Sequence, residues 1–210
     1  MSGSPKKKLL GRVPVAYPTL VLAMTVLGGS VASLAAMATG AISVGLGGLI
    51  MFVLGFAAFT PMHDASHKAV AARPWINAVV GRLCAIVLVV PFAAFRHIHL
   101  THHRHTNDPE RDPDFYSGMG PTWQLPLRWL TQDAVYYSIY FRAGRPRREL
   151  VEASVTVVGM LGLIALLGST LGWTVVLLGW LLPARLAIGA LAFAFAYLPH
   201  HPHDVPASVD

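Results

Sequence analysis

An all-α membrane protein is the fold class this 210-residue chain predicts: four transmembrane helices as two hairpins, plus one re-entrant or interfacial segment. Three observations predict it. Hydrophobic residues make up 54% of the chain and charged residues 12%, too apolar a balance for an ordinary soluble domain. Four nearly uncharged stretches reach the roughly 20 residues a helix needs to cross a bilayer. All ten histidines fall in three short clusters at the ends of long apolar stretches.

The elements follow in chain order. Lys6, Lys7, Lys8 and Arg12 precede the first apolar stretch, about Val15–Met37. No small-residue cleavage site follows a short apolar core, so this reads as an uncleaved first helix and not as a secretory signal. A connector rich in Gly, Ala, Ser and Thr leads into the second stretch, about Ile42–Thr60. Ile76–Phe95 is also about long enough to span, but Arg82 within it and Pro91 near its end favour a segment that turns back or lies in the interface. Pro121–Arg148 mixes Trp123, Trp129, Tyr136 and Tyr137 with Arg128, Arg142 and Arg145. Aromatic and basic residues together suit an interfacial helix at headgroup level, a membrane anchor more than a substrate gate. Ala153–Leu171 and Trp173–Leu198 make the second hairpin. The latter carries Pro183 and Arg185; an arginine within a span lines an interior pocket or snorkels to the interface.

Charge placement gives an orientation. Of the 16 Lys and Arg, four precede the first span, two lie in 61–76 and eight in 96–150, leaving only Arg82 and Arg185 inside apolar segments. Basic loops stay cytoplasmic, so the N-terminus, the central loop and all three histidine clusters are expected on the cytoplasmic face. The net charge of +6 does not imply nucleic acid, because the basic residues form no arm with interleaved aromatics. The single Cys84 excludes a disulfide framework and a cysteine-ligated zinc or iron–sulfur site; within its apolar run it reads as a small buried hydrophobe.

The histidines carry the chemistry. The first cluster is His63-Asp-Ala-Ser-His67, two rings one helical turn apart. The second contains His99, His102 and His103 in an H-x-x-H-H pattern on one helix face. The third is His200-His201-Pro-His203. Imidazole-rich sites suit iron, zinc, copper and nickel. A structural zinc closes with four ligands and a catalytic zinc uses three, so at least five histidines in strong motifs suggest two metals. Ligating imidazoles usually donate their other N–H to a carboxylate or carbonyl, a role read for Asp64, Asp108 and Asp112. Glu110 and Asp114 read as parts of a Pro-punctuated turn.

HDASH, HLTHHRHTNDPERDPDF and YLPHH together resemble the membrane fatty acid desaturase superfamily of histidine-box di-iron oxygenases, over roughly residues 40–205. The text around the second box looks most like the carotenoid hydroxylase and ketolase branch. The resemblance implies a single desaturase-like domain, 1–210, with two non-haem irons that use O2 to oxidise an unactivated C–H bond of a lipid. On it His63, His67, His99, His102 and His103 become iron ligands, with His97 and His105 outside the pattern. Members usually carry a third H-x-x-H-H box, and His200-His201-Pro-His203 does not have that spacing. The simplest expectation is a C-terminally truncated fragment; the alternative is that His200, His201 and His203 stand in for the missing box.

Each turnover needs two electrons, and the chain has no Gly-rich dinucleotide loop and no cysteine cluster. A ferredoxin or other separate electron donor is therefore expected, and the basic face would steer an acidic one. The substrate, fatty acyl chain or carotenoid, and the outcome, desaturation or hydroxylation, stay open. A different class stays open as well: a His-rich membrane metal-binding or transport protein without oxygenase activity. A zinc protease is disfavoured, since its H-E-x-x-H needs a glutamate where this chain has Asp64.

Overall fold

The computed structural model describes residues 14–202; the basic N-terminal residues Lys6, Lys7, Lys8 and Arg12, and His203, lie outside them. Within that range the fold is helical, with one isolated antiparallel bridge between Val15 and Ala71. The helices are α1 (Tyr17–Ala38), α2 (Val44–Ser66), α3 (Pro74–Leu88), α4 (Phe92–His105), α5 (Leu125–Arg142), α6 (Arg147–Leu171) and α7 (Trp173–Tyr197). Two short 3₁₀ turns, Pro113–Gly118 and Thr122–Gln124, lead into α5. Four helices, α1, α2, α6 and α7, are long and apolar enough to cross a membrane.

α2 is the axis of the fold. Ser43 caps it by accepting from the Leu46 N–H, satisfying one orphan donor of the first turn. The expected end at Thr60 falls six residues short, because the helix continues through the first histidine box to Ser66. Pro61 removes one ladder hydrogen bond, but Met62 and Ala65 just after it are buried, so the apolar face carries the helix onward. In a lipid solvent apolar contact gives no drive for helices to associate, and close packing of small residues does the work. A Cβ on Gly48 would lie 3.1 Å from the Leu178 carbonyl, and one on Gly55 3.2 Å from the Ala187 Cβ. Glycine at these two positions lets α7 press against α2.

The Ile76–Phe95 segment breaks into α3 and α4, which meet at 99°. Val89 sits at the break with φ 60° and ψ 40°, a left-handed conformation that costs a side-chain-bearing residue roughly 1–2 kcal/mol. The Val90 N–H closes back on the Ala85 carbonyl at 3.0 Å, the Schellman-type closure of a helix end. The Trp180 indole N–H donates to the Val87 carbonyl at 3.0 Å, satisfying another carbonyl of that last turn. The Phe92 ring lies where a Gly81 side chain would be, so the two arms fold close. The bend returns α4 to the end of α2, and Arg96 Nε donates to the Ser66 carbonyl at 3.3 Å.

α6 starts at Arg147, six residues before the expected Ala153, with Pro146 before its first turn. Arg145 reaches Glu149 one turn on, at 2.5 Å. The two ionic residues of the apolar segments both have carboxylate partners. Arg82 of α3 pairs with Glu152 of α6. Arg185 of α7 donates to Asp133 and to the Leu130 carbonyl of α5, so it serves as a tie between helices, neither a bare pocket wall nor a snorkelling charge. Cys84 is fully buried as a free thiol.

Candidate metal centre

The first box leaves α2 at its C-terminal turn, and α4 delivers the second box beside it. His67 Nε2 stands 2.9 Å from His99 Nε2, and His103 Nε2 stands 3.1 Å from the same atom. The His63 ring lies 4.7 Å from His67 and 4.6 Å from His99, centroid to centroid. One ring nitrogen from each of His63, His67, His99 and His103 falls within a common 4.8 Å. Two nitrogens bound to one first-row metal ion at about 2.1 Å stand roughly 3.0–3.4 Å apart for tetrahedral or octahedral angles. The donor set therefore fits a cation, and its nitrogen-only character suits iron as well as zinc or copper. Burial first, and then the neighbouring imidazoles, push His99 down to about 2. Burial and neighbouring imidazoles also lower His67 and His103. Neutral rings are the ligating form.

His102 is set apart from these four. It is buried, and its Nδ1 lies 2.8 Å from Asp112 Oδ1 and 3.6 Å from Asp114 Oδ2. Burial opposes its charge, but the hydrogen bond to Asp112 and the two carboxylate charges outweigh it and raise its pKa. The loop after α4 builds this pocket. Asn107 takes φ 61° and turns the chain back. Asp112 then accepts from the Asn107 N–H at 2.7 Å and the Asp114 N–H at 2.9 Å. Asp114 accepts from the Tyr136 hydroxyl of α5, and burial raises the pKa of both groups. His102, Asp112 and Asp114 come close enough to hold an ion, but their atoms are already engaged by these donors. The group works as a hydrogen-bond network that fixes the His102 tautomer and leaves Nε2 as its second nitrogen. Across the His102 ring lies His200, centroids 4.9 Å apart.

The other expected residues separate. Asp64 lies beside His63, Nδ1 to Oδ1 3.5 Å, and accepts from Thr19 Oγ1 of α1 at 2.8 Å. Asp108, expected beside a histidine, instead accepts from the Glu110 and Arg111 N–H groups and pairs with Arg111. It is an Asx-type turn former, with the Glu110 N–H first among the influences that hold its carboxyl below the usual range. His201 is exposed and packs on Tyr197. His97 turns to Tyr140. Asp114, expected to be a plain turn residue, is buried 3.6 Å from His102.

A cavity of about 440 Å³ is lined by His63, His99, His102, His103 and His200, within the usual range for ligand pockets. Phe59, Leu88, Phe95, Ile188, Leu191 and Phe195 give it an apolar wall. Gln132, Asp133, Tyr136 and Tyr137 of α5 also line it. The expectation of α5 as mainly a membrane anchor thus omits one of its faces. The signal lay in the sequence: 132, 136 and 140, with 133 and 137, follow the helical period, and Gln132, Asp133 and Tyr140 are buried.

The sequence as a whole also resembles known proteins. The sequence model described as "Fatty acid desaturase" matches residues 16–209. A relative named sn-1 oleoyl-lipid 12-desaturase from a Picosynechococcus is 29% identical over 141 residues, 58% of this chain and 40% of its own length. A Nostoc protein named sn-1 acyl-lipid omega-3 desaturase (ferredoxin) is 24% identical over 148 residues, 60% of this chain and 41% of its own. A chloroplastic sn-2 acyl-lipid omega-3 desaturase (ferredoxin) of Arabidopsis thaliana is 25% identical over 179 residues, 73% and 38% of the two chains. The chain thus spans about two fifths of the length of these relatives. Their names speak of acyl lipids, and the expected leaning toward carotenoid enzymes draws no support from them.

Proposed function

The chain belongs to the fatty acid desaturase family, and from that premise we propose that it is a membrane di-iron enzyme introducing a double bond into a lipid acyl chain. The observation that carries this reading is the convergence of His63, His67, His99 and His103, three of which, His63, His99 and His103, line a mainly apolar cavity. One iron would be held by those four imidazoles. The second would be shared by His102 and His200, with Asp112 and Asp64 orienting rings from behind. Bound iron would supply O2 activation and the abstraction of hydrogen from an unactivated C–H bond. Overall, one O2, two electrons and two protons convert a CH2–CH2 unit to CH=CH and two waters. The chain's own residues do the rest. Phe59, Phe95 and Phe195 exclude water and hold a chain-like substrate against the histidines. The Asp112 carboxylate keeps the Nδ1 proton on His102 and so leaves Nε2 free to ligate.

The Nostoc relative is named for ferredoxin, and we extend to this chain an acidic electron donor docking on the basic cytoplasmic face. The excess of Lys and Arg outside the apolar segments supports that orientation. The test is iron and zinc per chain in detergent, beside a His102→Ala/His103→Ala variant, followed by gas chromatography of acyl chains after incubation with reduced ferredoxin and O2. Near two irons per chain, fewer in the variant, with a new double bond, is the expected result. One zinc and no product would overturn the reading.

A further inference from the structure

Arg82, Arg111, Arg145 and Arg185 each pair with a carboxylate. Arg128 of α5 is held by neutral groups alone among the described residues. Its Nη2 donates to Gln124 Oε1 at 3.0 Å, and its guanidinium lies 4.8 Å from the centre of the Tyr116 ring. The Tyr116 hydroxyl stands 3.1 Å from Thr131 Oγ1 one turn further along α5. Gly120, at φ 76°, closes over this seat, since a Cβ there would lie 3.0 Å from Nη2. Nη1 has no hydrogen-bond partner among the described residues and is not buried. The guanidinium is thus fixed in place with one edge free, and its planar fork matches a phosphate.

Arg128 lines an open groove of about 650 Å³ that runs along α5 to Ser138, a length of about 15 Å. Residues 127, 131, 134, 135 and 138 share this face, about 180° around the helix from Gln132, Asp133, Tyr136 and Tyr137. The groove is therefore separate from the cavity beside the histidines. Ala134 and Val135 give it an apolar floor beyond Arg128, and no Asp or Glu lines it among the described residues. At the Arg128 end, Trp123 and Leu127 are 75% and 63% exposed. Large apolar side chains beside an arginine suit headgroup depth, in a chain with four helices able to span a bilayer. Free phosphate would meet Arg128 and leave Trp123, Leu127 and the apolar floor uncovered. A neutral lipid would cover these and leave the cation unmet. A choline headgroup would bring an ammonium that finds no carboxylate here.

We propose that this groove is a binding site for an anionic phospholipid, its phosphodiester on Arg128 Nη1 and one acyl chain along Ala134 and Val135. The lipid braces the outer face of the helix whose inner face lines the cavity. The site depends on the chain being a membrane protein and not on the reaction it performs.

Native mass spectrometry of the full chain, delipidated in detergent, tests it with phosphatidylglycerol, phosphatidylcholine and dioleoylglycerol. Wild type is expected to retain phosphatidylglycerol about fivefold better than either of the others, the factor one arginine supplies near an anionic surface. Arg128→Gln should abolish that preference. Ala134→Trp, at an exposed position on the groove floor, should lower retention of phosphatidylglycerol while leaving Arg128 in place. Arg142→Gln, an exposed charge at the far end of α5, should change nothing. Melting temperature of each variant in lipid-free detergent reports folding separately. Equal retention of the three lipids by wild type, or equal losses in Arg128→Gln and Arg142→Gln, would overturn the site. Unchanged retention in Ala134→Trp would do so too, as would displacement of phosphatidylglycerol by millimolar inorganic phosphate. Weaker ferredoxin binding by Arg128→Gln with lipid preference intact would give Arg128 to a protein partner and overturn it as well. None of these readouts uses iron or product, so the desaturase reading stands or falls apart from them.

Discussion

His99 and His102 are three residues apart on one helix, yet they occupy opposite chemical settings. His99 faces His67 and His103 nitrogen to nitrogen, with burial and imidazole neighbours holding it neutral. His102 faces two carboxylates and gains proton affinity. Nitrogens crowded against nitrogens satisfy one another poorly, since a lone pair needs a proton or a cation between them. Asp112, by contrast, receives donors from three directions. One half of the centre thus turns nitrogen lone pairs toward one another, while the other ties its histidine to protein carboxylates.

The largest expected effect breaks the first half. His99→Ala removes the nitrogen that both His67 and His103 approach, and iron per chain, measured by elemental analysis, should fall at least tenfold. Full iron retention would sink the contrast. Asp112→Asn attacks the second half. Metal affinity should drop about 10–100-fold, and stability by about 1–3 kcal/mol as read from thermal melting of the metal-free protein. If Asp112→Asn lowered melting alone, the network would be structural with no bearing on the metal.

The tie between helices comes next. Arg185→Leu leaves Asp133 buried without its partner and should cost about 1–2 kcal/mol, discounted from the fully buried case because Arg185 is partly exposed. An Arg185→Leu/Asp133→Leu double variant should recover much of that loss in a double-mutant cycle; additive losses would show that the pair is not coupled.

The two halves should also differ in pH. His67, His99 and His103 are depressed in the folded state, so the unfolded chain binds protons more readily below its histidine value of about 6.5. Their contribution is whole above that value and drains as pH falls through it. His102 is raised, so its contribution is whole below about 6.5 and is lost as pH rises through its folded value. Melting of the metal-free protein should therefore fall from pH 8 to pH 5, and His99→Ala should flatten that slope. The smallest effects belong to Asp108→Ala and His201→Ala. Both side chains lie apart from the four-histidine cluster, and iron content should match wild type in each.

Much of this was legible in the sequence, for reasons of periodicity. An i, i+4 pair in His63 and His67, and an i, i+3, i+4 set in His99, His102 and His103, share a helix face whatever the fold. The four spans follow from length and hydropathy. Asp114 was not legible, because its position depends on how the loop turns at Asn107, and a loop has no repeat to read. Asp108 and Asp112 are both followed by proline, yet one caps a turn and the other meets a histidine. Gln132 and Tyr137 were masked by composition, since a stretch rich in aromatics and arginine reads as an interface. α2 outruns the uncharged stretch that ends at Thr60, because buried Met62 and Ala65 continue its apolar face into the first histidine box.

The reversal at Val89 also bears on which changes in length the protein tolerates. A residue added to the α1–α2 connector alters only a loop remote from the histidines. One added inside α3 would advance everything beyond it by about 1.5 Å and turn it by about 100°. Because α4 is aimed by a 99° corner, that rotation would swing His99 and His103 away from His67. The number of residues between Pro74 and Val89 is therefore a gauge length, and variation in related sequences should collect in the connectors and spare this interval.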